Sequence, residues 1–239
     1  MKRAGLFCAF AACLVLLASC AARINGTLHN DGKADIHIYA ALEPRISSLI
    51  GSLAAGFGQA QPGMIILNGS AIAVSMSAAP GIESVAFGNP SPTAIEGPVK
   101  VAHIGDFLAS NKTSGFIDFA PPSAGSSGRI SIRIDRESGP RILELISPEV
   151  SDYLIALMAP LATGETLSKA EYLMLISSVY NKGISDEIAK AAISAAIEFP
   201  GQVLSAKGGA FAQRKAEFSI PLLDLLVLET PLLYEVTWR

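Results

Sequence analysis

Arg23-Ile24-Asn25-Gly26-Thr27-Leu28-His29-Asn30-Asp31-Gly32-Lys33-Ala34-Asp35-Ile36-His37-Ile38-Tyr39-Ala40-Ala41-Leu42 reads as two β-strands joined by a polar turn. The register follows from which side chains must share a face. A two-residue loop sets Leu28 opposite Asp35 and mixes apolar with charged groups on both faces. A three-residue loop, Asn30-Asp31-Gly32 with Gly32 left-handed, sets Leu28 opposite Ala34, Gly26 opposite Ile36 and Ile24 opposite Ile38. The other face then pairs Thr27 with Asp35 and Asn25 with His37. Every side chain keeps to one face, so the three-residue loop with a bulge is expected. Glu43-Pro44 closes the second strand.

Beyond this hairpin, Ile46, Leu49, Ile50, Leu53 and Phe57 recur at helical spacing. The opposite face of that helix is Ser47, Ser48, Gly51, Ser52 and Ala55, without a charge. A solvated helix normally carries charges there. Between Arg45 and Glu96 the only charged residue is Glu83. This stretch is either covered by other elements or touches something apolar. Residues 88–98 read as loop and Val99 to Ile104, with His103, as strand.

Phe116 to Ala120 and Arg129 to Asp135 form a second hairpin, in which Ile130, Ile132 and Ile134 alternate with polar residues. The polar face must be wet or paired with acids. Helix starts are expected at Pro140, at Ser147-Pro148-Glu149, at the capping box Ser168-Lys169-Ala170-Glu171, and at Ser185 ahead of Asp186 and Glu187. Ile193, Ala195, Ile197 and Phe199 alternate, so the last of these helices gives way to strand near Ala191. Ala216, Phe218 and Ile220 mark another strand. Pro221 to Glu229 reads as a short helix, and Tyr234, Val236 and Trp238 share one face of a final strand. Roughly seven strands and five helices result, an α+β chain with a mostly antiparallel sheet and several helices packed on it.

The chain has 239 residues, 18 Lys and Arg against 21 Asp and Glu, half its residues hydrophobic and 16% charged. Mean hydropathy is +0.43. Such a composition excludes a disordered chain. It also excludes a nucleic-acid binder, because no cation excess exists to neutralise phosphates. Cys8, Cys13 and Cys20 all lie in the first twenty residues, so a disulfide framework is excluded as well.

Those twenty residues read as an address. Lys2 and Arg3 precede an apolar run from Leu6 to Leu17, shorter than the ~20 residues that span a bilayer. Leu17-Ala18-Ser19-Cys20 then matches the bacterial lipobox, whose Cys thiolate takes a diacylglyceryl group. Residues 1–19 are expected to be removed, leaving residues 20–239 as a single α+β envelope domain anchored through acylated Cys20. Removal takes two cations and no acid, so the formal charge moves from −3 to −5. The expected location is the cell membrane or the outer membrane, outside the cytoplasm.

Ile197-Glu198-Phe199-Pro200-Gly201-Gln202-Val203, the later Gly208-Gly209, and Tyr234-Glu235-Val236-Thr237-Trp238 resemble the LppM-like family of bacterial lipoproteins. The lipobox, Gly26-Thr27-Leu28, Asp31-Gly32 and Leu42-Glu43-Pro44 are similar too. The resemblance covers about a third of the chain. It implies an α+β envelope domain that is not an enzyme and binds a lipid or another hydrophobe, with no catalytic residues to carry over. Members of that family often continue into a C-terminal transmembrane helix; here the expectation is that anchoring rests on Cys20.

Chemical signatures are scarce. Neither zinc-ligand spacing, a nucleophile elbow nor a phosphate-binding glycine loop occurs. No metal or other cofactor is expected. His29 and His37 with Asp35 read either as a metal site or as solvated strand residues, and His103 as a structural histidine. Arg129, Arg133, Arg136 and Arg141 form the one local basic cluster, facing lipid headgroups or simply solvent. Two functions remain. In the first, an anchored envelope protein binds an apolar ligand or membrane surface through Leu49, Ile50, Leu53 and Phe57. In the second, the charge-poor segment 46–95 is a protein–protein interface with an envelope partner.

Overall fold

The computed structural model describes residues 21–56, 65–110, 116–123, 125–139 and 154–239. Strands β1 (Ala21–Leu28) and β2 (Ala34–Ala41) pair antiparallel in the register expected from the sequence, with Leu28 opposite Ala34, Gly26 opposite Ile36 and Ile24 opposite Ile38. His29 N–H donates to the Lys33 carbonyl at 2.8 Å and closes the three-residue loop. Gly32 takes φ +78°, the left-handed conformation that glycine adopts without a Cβ penalty.

On its other edge β1 pairs in parallel with β8 (Ala192–Glu198). The larger sheet runs β10 (Gly209–Ala212), β11 (Lys215–Pro221), β8, β1, β2, β5 (Ala94–Val101), β3 (Ile82–Val85), and β4 (Gly88–Ser91) also pairs with β5. A smaller antiparallel sheet runs β6 (Ile117–Ala120), β7 (Gly128–Ile134), β12 (Leu232–Trp238), β9 (Val203–Lys207). The fold is therefore α+β, with mostly antiparallel sheets and one parallel pair. Strand β9 of the small sheet passes into β10 of the large one at Gly208, whose φ is +77°. A Cβ there would lie 2.6 Å from the Leu233 carbonyl and 2.8 Å from the Tyr234 ring, so only glycine turns this corner without displacing β12.

Helices are α1 (Pro44–Gly56), α2 (Gly69–Ser77), α3 (Ile104–Ser110), α4 (Pro160–Thr163), α5 (Lys169–Val179), α6 (Lys182–Lys190) and α7 (Leu222–Val227). Helix α2 lies against β3 and β4, and α7 against α4, α5 and α6. The capping box at Ser168 and Glu171 forms as expected. Tyr172 is fully buried on α5 and its hydroxyl donates to the Leu157 carbonyl at 3.1 Å; burial pushes that phenol well up. Tyr180 donates likewise to the Ala156 carbonyl. The expected helix starts at Pro140 and Ser147 fall outside the described residues; the face expected to run on from Ser147 to Leu161 is broken at Met158, whose φ is +50°, before α4 begins.

Several boundaries differ from the sequence reading. Residues 88–98 are not loop but β4 and most of β5, whose burial alternates through Val101. The disguise is Gly97-Pro98, residues that weaken a strand pattern. Gly97 is required because a Cβ would lie 1.9 Å from the Ala86 carbonyl. Pro98 needs no donor there, because β3 and β4 are interrupted opposite it. His103 is an exposed residue just before α3 rather than in a strand. Helix α6 starts from Asn181, whose side chain accepts from Ile184 N–H, and not from Ser185. Helix α2 was hidden among small residues; Asn68 caps it by accepting from Ala71 N–H at 3.0 Å. Asn89 secures its start, accepting from Gly69 N–H at 3.0 Å and donating to the Leu67 and Ala94 carbonyls.

Glu187 on α6 reaches across the fold to α1. Its carboxylate accepts from Ile46 N–H at 3.1 Å and Arg45 N–H at 3.4 Å, in the first turn, where free donors and the positive helix end favour an anion. Replacing Glu187 by Ala should cost about 0.5–2 kcal/mol, the range for a lost N-cap, read as a lower urea midpoint with unchanged slope. Glu187→Gln should recover part of that loss.

Asp135 supplies a pH test. Hydrogen bonding from Ser138 N–H, at 2.9 Å, holds its carboxyl below the usual range, and Arg133 at 3.0 Å adds to this. A depressed folded pKa contributes stability above the unfolded value and loses it as pH falls through the folded one. The stability gap between the wild type and Asp135→Asn, from urea titrations, should be widest at neutral pH and narrow below about pH 4.

Candidate functional site

The large sheet has one polar and one apolar face. Along β1, Arg23 and Asn25 are exposed while Ala22 and Leu28 are buried. On β2, Asp35 and His37 point outward and Ala34, Ile38 and Ala40 inward. The apolar face is covered in two ways. Around β2 and β5 it closes completely: Ile38, Ala40, Ile95, Val99 and Val101 are at most 3% exposed. Under the small sheet it does not close.

There, a cavity of about 240 Å³ lies between the two sheets. Ile24, Ile36, Ile197 and Phe218 line it from the large sheet, and Ile132 and Tyr234 from the small one. All six are only half-buried although they face another sheet. Gly26 sits in the same wall, and a Cβ there would come within 2.9 Å of Ile197 Cδ1. The missing side chain thus leaves room for Ile197 to lie across the strand. Phe218 and Tyr234 bridge the sheets edge-to-face, with centroids 5.8 Å apart at 89°. Desolvation raises the Tyr234 phenol above its usual range, and the negative charge of Asp224 adds to this. At neutral pH the wall is uncharged here apart from Glu235, which pairs with Arg129 at 3.7 Å.

At one end the cavity meets an aromatic group. Trp238 is 1% exposed, 4.8 Å from Phe199 and 6.3 Å from Phe119, centroid to centroid. Gly128 lies beneath the indole, where a Cβ would stand 2.4 Å from Cε2. The indole Nε1 is buried and has no hydrogen-bond partner among the described residues. An unsatisfied buried donor costs roughly 1–3 kcal/mol, and native structures rarely keep one without a reason.

The residues singled out from the sequence are placed elsewhere. On α1, Ile46 and Ile50 are 2% and 1% exposed and belong to the core, so Ile50 offers no surface to a ligand. Leu49 and Leu53 are half-buried, and neither lines the inter-sheet cavity. Phe57 and Cys20 lie outside the described residues. In the charge-poor segment Val74 is 75% and Ile65 47% exposed. His29 and His37 have separate partners: His29 bonds Asp35 at 2.8 Å, and His37 lies 3.9 Å from Glu96. No metal-binding group of three or more ligands occurs among the described residues. Of the basic cluster, Arg129 and Arg133 pair with acids and Arg136 donates to the Leu167 carbonyl at 3.0 Å; Arg141 is outside the described residues.

The cavity was missed because each strand contributes only alternate residues. Ile24, Ile132, Ile197 and Tyr234 are spread over more than two hundred positions, and each looks like ordinary core. The one local signal was Gly26, small within an otherwise bulky strand face.

No helix among the described residues is long and apolar enough to cross a membrane. No protein-family model matches the chain, and no curated protein matches it. Among solved structures it is similar to the NMR structure of the folded domain of LppM from Mycobacterium tuberculosis, with a TM-score of 0.41 and 12% identity over 92% of this chain and 88% of that one.

Proposed function

We propose that the chain is a lipid-anchored envelope protein, not an enzyme, that binds an aliphatic chain between its two sheets. The observation that carries this reading is the set of half-buried apolar side chains facing one another across the inter-sheet cavity. Packed sheets ordinarily interdigitate and bury such residues fully. Water finds few partners in an apolar wall, so an aliphatic guest gains by removing that area from water. A cavity of about 240 Å³ exceeds the ~150 Å³ that admits benzene and falls just under the ~300–1,000 Å³ of drug-sized sites. A slender hydrocarbon chain suits it better than a broad ring system.

Anchoring through Cys20 fits the same geometry. Strand β1 runs from Ala21, the residue that follows Cys20 in the sequence. The Asn30-Asp31-Gly32 turn is at the far end of β1, roughly 25 Å away at the rise of an extended strand.

Two measurements check this. Ile36→Phe and Ile132→Phe place extra carbons in the cavity; each should weaken binding of an aliphatic probe at least tenfold while the melting temperature holds or rises. Unchanged affinity in both would remove the cavity from consideration. Cys20→Ala should abolish metabolic palmitate labelling and release the protein from the membrane fraction.

The exposure of Val74 and Ile65 favours a second reading, in which segment 46–95 meets a protein partner. Val74→Asp and Leu53→Asp should then abolish a crosslinked complex in cells and leave aliphatic binding intact. If those substitutions abolish aliphatic binding instead, α1 and α2 are the ligand surface.

A further inference from the structure

The inter-sheet cavity adjoins a second recess of different chemistry. This recess, about 280 Å³, sits where the β1–β2 turn meets the start of α3. Leu28, Ile104 and Phe119 line both spaces, so the two adjoin along a shared apolar threshold. The far walls are polar: His29 and Asp31 come from the turn, and His103 and Asp106 from the approach to α3 and its first turn. Trp238 lines the recess and carries the buried, unpartnered Nε1 donor.

We infer that the bound molecule is a single-chain amphiphile with an uncharged, hydroxyl-bearing head of the monoacylglycerol kind, its chain between the sheets and its head in the recess beside Trp238, His103 and Asp106. This rests on the aliphatic-binding reading above and adds the identity of the head. An apolar cavity that adjoins a polar recess suits a ligand with the same division. Charge decides the class of head. The carboxylates of Asp31 and Asp106 line the recess, and Asp31 already pairs with Lys33 at 3.1 Å. His29 already bonds Asp35 at 2.8 Å. Among the described residues no Lys or Arg lines the recess, so a free carboxylate or phosphate head there would meet like charge. A hydroxylated ester head offers both functions the wall needs. Its oxygens accept from a His103 ring N–H, and its hydroxyls donate to Asp106.

Trp238 is the only tryptophan in the chain, which makes the experiment direct. The purified mature lipoprotein is titrated with 1-monopalmitoylglycerol, palmitate and hexadecane. Binding is followed by displacement of the uncharged dye Nile red, and the head by Trp238 emission. Monopalmitoylglycerol should bind at least tenfold more tightly than either other probe and should alone shift the Trp238 emission. The double variant His103→Ala/Asp106→Ala, changed only at exposed positions, should reduce that preference to within about twofold and keep hexadecane binding. Equal binding of all three probes with unchanged emission would overturn the head assignment while the chain cavity stood. A tenfold preference for palmitate would overturn it in favour of an anionic head. If none of the three displaced the dye, the aliphatic-binding reading and this inference would fall together.

Discussion

Strand β1 is paired along both edges, antiparallel to β2 and parallel to β8, and the rest of the structure depends on that double pairing. The antiparallel edge is set locally by the Gly32 turn. The parallel edge needs a crossover, and the chain between β2 and β8 supplies it by building β3 to β5, the β6–β7 half of the small sheet and most of the helices on the way. Because β1 lies between its partners, its side-chain alternation is imposed on the large sheet. Arg23, Asn25, Asp35 and His37 stay on the wet face, and the opposite face has to be covered.

Covering is uneven, and that unevenness makes the site. Toward β5 and β3 the apolar face meets other side chains and becomes an ordinary core. Toward β8 and β11 it meets a second sheet, connected to the first at the Gly208 corner. A strand that changes sheets fixes how far apart those sheets stand, and Phe218 on Tyr234 spans the gap. Isoleucines on each side remain half-buried because two twisted sheets cannot close everywhere at once. Trp238 ends the gap as an aromatic group with Phe119 and Phe199, its indole Nε1 without a partner among the described residues.

Charge is spent at the periphery. Glu187 caps α1 from a helix 141 residues away, and Asp135 orders the end of β7 through Ser138. Lys169 pairs with Asp224 at 2.8 Å and ties α5 to α7. These polar links lie at the ends of elements, where backbone donors would otherwise be free. The inter-sheet space is left almost without charge, a condition for holding a hydrocarbon chain.

Where the physics is local, the sequence alone determined the outcome. The first hairpin and its register, the β6–β7 hairpin, the Ser168 capping box, the change from helix to strand near Ala191 and the last strand were all legible, because alternation and caps are short-range constraints. Strand β5 was not, because Gly97 and Pro98 make sense only against Ala86 and the break between β3 and β4. Helix α2 was not, because its start is secured by Asn89, twenty residues on. For the site, the composition of the charge-poor segment pointed to α1, yet the tertiary structure buries Ile50 and gathers the cavity from Ile24, Ile36, Ile132, Ile197, Phe218 and Tyr234. No pattern along the chain joins those six residues. They come together only because sheet pairing and the Gly208 corner bring distant strands face to face, and long-range pairing leaves no local trace in sequence.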